Sequence, residues 1–126
     1  MANWFSYLPP AQYLSLAQGI YYLITGVWPL LSIRTFMKVT GPKNDIWLVK
    51  TVGVLVAVVG GVLILSGALG RVPLEVFALA VGCALGLTAI DVWYVARRVI
   101  PPIYLLDAVA EVVLVALWAL VRGAGP

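Results

Sequence analysis

Histidine is missing from this 126-residue chain, cysteine occurs once, and only 10% of the residues carry charge. Each scarcity removes a class of chemistry. Without an imidazole there is no histidine ligand for haem or for a His-rich zinc site, and the commonest general base is gone. With Cys83 alone, neither an intramolecular disulfide nor a CxxC pair can form, which excludes thiol exchange of the four-helix, quinone-reducing kind. Charge at this level is well short of the roughly one quarter usual in soluble domains. The opening MANWFSYLPPAQ holds no Lys or Arg. It therefore lacks the basic start of a secretory signal and is expected to be retained.

What is present is hydrocarbon. Hydrophobic residues make up 63% of the chain, and the mean hydropathy is +1.07. Four apolar runs, at about 13–33, 46–69, 73–96 and 103–121, each approach the ~20 residues that cross a bilayer core. The expected fold is all-α: an integral membrane four-helix bundle of up-down topology, with residues 1–126 forming a single transmembrane domain. The net charge of +3 does not imply a nucleic-acid partner. Basic residues in membrane proteins gather on one side for topological reasons.

Before the first span, Trp4, Phe5, Tyr7 and Leu8 with Pro9 and Pro10 suit an anchor at the membrane–water interface. Within that span Gln18, Tyr21, Thr25, Trp28 and Ser32 recur at spacings of three and four, which gathers polar atoms on one face. Pro29 removes a backbone donor and is expected to kink the helix. The connection from Arg34 to Lys50 is the most polar stretch. Gly41 and Pro42 break it, Asn44 or Asp45 can cap the following helix, and Phe36 and Met37 beside Lys38 can form a short amphipathic piece on the surface. The second span carries Gly53, Ala57, Gly60 and Gly61, small residues that let helices approach closely. Glu75 opens the third, where Gly82 and Gly86 form a GxxxG and Thr88 and Asp91 lie one turn apart.

The fourth run, Ile103 to Val121, contains two acids, Asp107 and Glu111. Their spacing of four puts both on one helix face, and Tyr104, Leu114 and Trp118 continue it. A carboxylate in hydrocarbon costs roughly 2.5–3.5 kcal/mol on insertion scales, so such groups face protein, water or ligand and mark candidate sites. Counting from helix midpoints sets Glu111 near mid-membrane, Asp107 one turn away, and Asp91 and Lys50 further toward the same side. The expected ligand-binding set is Asp107, Glu111, Tyr21, Thr25, Asp91, Lys50, Trp28 and Tyr104, with Lys50 paired to Asp91. The competing expectation is that these groups are interhelical hydrogen-bond glue. No metal site and no cofactor are expected.

Arg34, Lys38, Lys43, Lys50, Arg97 and Arg98 fall on the side of the two odd connections, against Arg71 and Arg122 on the other. This bias places those connections in the cytoplasm and both termini outside, in the cell (inner) membrane.

The plan of a small bundle with glycine-rich spans and an aromatic first helix resembles the DoxX-like bacterial membrane proteins. The stretches GIYYLITGVWPLL and FMKVTGPKNDIWLVKTVG look like a signature of uncharacterised small four-helix bacterial membrane proteins. The resemblance covers the whole chain but is architectural. It implies association with respiratory or redox complexes without a cofactor of the chain's own. In size the chain is also similar to the small multidrug transporters, which work as dimers around a glutamate in the first span. Here that span has no carboxylate.

The leading expectation is a multi-pass protein with a cytoplasm-facing acidic cavity that binds a small or amphiphilic, cationic ligand, with proton-linked transport as one mode of action. The alternative is a non-catalytic accessory or scaffold subunit of a larger membrane complex. Enzymatic activity is the least favoured reading, because no nucleophile–base pair appears. The bilayer is the expected partner, and a homodimer or a larger assembly is left open.

Overall fold

The computed structural model describes residues 10–124, so the aromatic segment expected to anchor at the interface lies outside the described residues. Five helices follow one another: α1 (Ala11–Leu31), α2 (Ile33–Thr40), α3 (Ile46–Ala68), α4 (Leu74–Ala96) and α5 (Tyr104–Ala124). Four of them, α1, α3, α4 and the Tyr104–Val121 part of α5, are long and apolar enough to cross a membrane. They form the up-down bundle expected for an integral membrane protein. Around the bundle the order is α3, α1, α5, α4. The α1–α3 and α4–α5 contacts are extensive, while α3 and α4 touch only sparsely.

The α1–α3 seam is dry and glycine-built. Gly53, Gly60 and Gly67 recur every seven residues on α3, and Gly19 and Gly26 do the same on α1. A β-carbon on Gly60 would stand 2.6 Å from both the Gly19 carbonyl and the Leu23 amide nitrogen, and one on Gly26 would stand 2.6 Å from the Gly53 carbonyl. Backbones this close gain dispersion along their length, which replaces the hydrophobic drive that lipid cannot supply. Gly61, Gly82 and Gly86 do not take part. A β-carbon at any of them would find no described atom within 4 Å, which corrects the structural role expected of Gly61.

The connections follow local chemistry. At Gly41 (φ 96°) α2 ends, and Gly70 (φ 72°) closes the turn into α4, both in backbone territory that a side chain rarely adopts. Pro10 starts α1, its carbonyl accepting from the Tyr13 and Leu14 amides. Pro29 sits inside α1, which continues to Leu31. The amphipathic piece is α2, whose start is capped by Ser32. Asp45 occupies the cap position of α3, but its side chain makes no capping bond. Its backbone carbonyl accepts from Leu48 and Val49 instead.

Candidate functional site

One strip of α1 meets every other span. Its buried residues are Leu14, Ser15, Gln18, Gly19, Tyr22, Gly26 and Pro29. The spacing of three and four is the expected one, but the strip is centred one residue away from the Tyr21–Thr25–Trp28 face. The polar members fall into two groups along the helix.

Nearer the α3–α4 turn, all polar contacts are closed. The Ser15 hydroxyl donates to the Leu63 carbonyl at 2.7 Å. Gln18 Nε2 donates to the Ala80 carbonyl at 2.9 Å, and Gln18 Oε1 accepts from Trp118 Nε1 at 2.7 Å. Trp118 is fully buried and stands edge-on to Phe77. Gln18 thus ties α1 to α4 and α5 at once, its amide acting as both donor and acceptor.

Toward the basic side the acids appear. The Tyr21 hydroxyl donates to Asp107 Oδ1, and the Tyr22 hydroxyl donates to Glu111 Oε1 at 2.7 Å. Consecutive residues of α1 thus serve acids four apart on α5. Glu111 is 1% exposed and Asp91 on α4 is 4% exposed. Each keeps one oxygen, Oε2 and Oδ2, buried with no hydrogen-bond partner. Asp107 shares the cavity wall with both. Carboxylates gathered around one low-dielectric cavity repel one another, so a positive charge brought among them is stabilised.

These groups line a cavity of about 560 Å³ that runs from Glu111 and Tyr22 to α2 and the 41–45 connection. Of the residues singled out from sequence, Asp107, Glu111, Tyr21, Thr25, Asp91, Trp28 and Tyr104 are all on its wall. Thr25 points its hydroxyl back to the carbonyls of Tyr21 and Tyr22. Trp28 donates its indole N–H to Thr35 Oγ1 at 2.9 Å and stacks edge-on with Phe36. Lys50 is the exception: it does not line the cavity and forms no ion pair with Asp91. Val49, Val52, Gly53 and Val56 are the α3 residues of the wall. Lys50, about 100° beyond Val49, is turned off that face.

The cation of the cavity is Lys43. Its ammonium donates to the Thr40 carbonyl and hydroxyl and to the Gly41 carbonyl, at 3.0, 3.2 and 3.0 Å. It also lies 5.3 Å from the Tyr104 ring centroid and 5.8 Å from that of Phe36, an arrangement in which ring faces attract positive charge. Among the wall residues that the sequence reading did not assign to the site, Tyr22 and Lys43 bear most directly on its charge and hydrogen bonding. Tyr22 was legible as the residue four after Gln18. Lys43 was not, because its placement depends on the left-handed turn at Gly41.

Among the described residues, no set of three or more acidic or thiol side chains is arranged to hold a metal ion. No known protein family, curated protein or solved structure matches the chain.

Proposed function

We propose that this is a multi-pass membrane protein whose acidic cavity binds the positively charged part of a small or amphiphilic organic molecule. The observation that carries the reading is the pair of buried oxygens, Glu111 Oε2 and Asp91 Oδ2, left without donors on the wall of a cavity. Hydrogen-bond glue closes on itself, as Gln18 does. Groups kept open at the expense of their desolvation await a partner. The aromatic faces of Tyr104 and Phe36 already hold one ammonium, that of Lys43, and suit a cation of similar chemistry. A cation entering among the acids offsets their mutual repulsion.

Calorimetric titration of tetraethylammonium into the protein in nanodiscs tests this. Binding is expected, with at least a tenfold loss in Glu111→Gln. Unaltered affinity in that variant would remove the acids from the site.

The basic connections are placed in the cytoplasm by their charge. A thiol at Asn44, in a Cys83→Ser background, is then labelled by an impermeant maleimide from the cytoplasmic side only, and labelling from outside inverts the orientation.

A second reading, an accessory subunit of a respiratory or redox complex as the DoxX-like resemblance implies, draws on Gly82 and Gly86, where an added β-carbon would meet no described atom within 4 Å beyond its own stretch of helix. Stoichiometric co-purification of a membrane partner would favour it.

A further inference from the structure

The bundle is open along one side, and that opening lies beside the acids. Where α3 and α4 barely touch, a second, apolar cleft of about 330 Å³ is cut between them. It adjoins the acidic cavity: Tyr22, Val56, Leu87 and Ile90 line both. Its far wall includes Cys83 and Gly86, and Gly86 leaves the space of a side chain empty, with no described atom within 4 Å of where a β-carbon would stand. Leu55 and Ile90 on its rims are 61% and 51% exposed, so the cleft faces the surroundings of the bundle, which for a spanning helix is lipid.

The water-facing route is guarded by charge of the wrong sign. Lys43 stands in the cavity wall toward the basic connections, where its ammonium disfavours a cation approaching from that side. The cleft carries no such charge: its lining is apolar apart from Tyr22 and Cys83.

Resting on the reading of the acids as a cation site, we infer that the ligand is an amphiphile with one alkyl chain and a positively charged head, taken up sideways from the membrane. The head sits among Asp91, Asp107 and Glu111, while the chain lies in the α3–α4 cleft. An alkyl chain gains little by moving from lipid into such a cleft, so the head supplies the attraction and the cleft supplies the room without which a chain-bearing head cannot seat.

Dodecyltrimethylammonium and tetramethylammonium, titrated into nanodiscs, separate the two claims. In Gly86→Leu, whose side chain fills the cleft, dodecyltrimethylammonium is expected to bind at least tenfold more weakly, with tetramethylammonium unchanged. Cys83, the only thiol, reports independently: bound dodecyltrimethylammonium slows its alkylation by N-ethylmaleimide at least fivefold, whereas bound tetramethylammonium does not. If the long-chain cation binds but Gly86→Leu and the Cys83 rate are both indifferent to it, the lateral route is wrong and the cation cavity stands. If neither cation binds, both readings fall together.

Discussion

One turn of α1 separates a polar cluster that is complete from one that is not. Around Gln18, each donor on one helix finds an acceptor on another, with Ala80 and Trp118 on either side. Around Tyr22, the tyrosines satisfy one oxygen each of Glu111 and Asp107, yet Glu111 Oε2 and Asp91 Oδ2 stay open. Both clusters have fully buried members, Gln18 and Trp118 in one and Tyr22 and Glu111 in the other, and both link α1 to α5. The difference is therefore not depth but closure. Polar residues inside a membrane protein are glue when their valences match across the interface, and a candidate site when they do not.

The comparison breaks first if the scaffold is removed from beneath both clusters. Gly60→Ala sets a β-carbon against backbone atoms of α1 at 2.6 Å, which no side-chain rotation relieves. It should cost about 3 kcal/mol or more, whereas Gly82→Ala, facing open space, should cost nothing measurable. Reversible unfolding in mixed detergent micelles ranks the two, and equal effects would show that the seam is not what holds α1 to α3.

A smaller effect separates the clusters themselves. Gln18→Leu leaves the buried Trp118 N–H without an acceptor and should destabilise by about 2 kcal/mol. Glu111→Gln keeps an acceptor for the Tyr22 hydroxyl and removes a costly buried acid. It should change stability by no more than about 1 kcal/mol, toward greater stability, while binding is lost. A large loss of stability in Glu111→Gln would instead class that acid with Gln18, as structure.

Much of this was legible from the chain. The four spans and the acid face of α5 follow directly from run length and from the four-residue step between Asp107 and Glu111. The inward face of α1 was found through Gln18, but was continued through Tyr21, Thr25 and Trp28 rather than through Ser15 and Tyr22. Neighbouring stripes of a helix differ by only 100°, and aromatic residues occupy both. The glycines show a different limit. Gly53 and Gly60 pack and Gly61 does not, although all three look alike in sequence. The seven-residue recurrence through Gly67, matched by Gly19 and Gly26, was the available signal that sorts them. Lys50 and Lys43 could not be sorted that way. Which lysine enters the cavity depends on helix rotation for one and on the turn at Gly41 for the other.

The chain has two glutamates, Glu75 and Glu111. Selective ¹³C labelling of the glutamate carboxyl carbons therefore gives two resonances, one from the cavity and one from the first turn of α4, outside it. On adding tetraethylammonium to the protein in lipid, the Glu111 carboxyl signal should move while that of Glu75 stays fixed. If both remain still at saturating cation, or both move alike, the open carboxyl groups are not a site for positive charge.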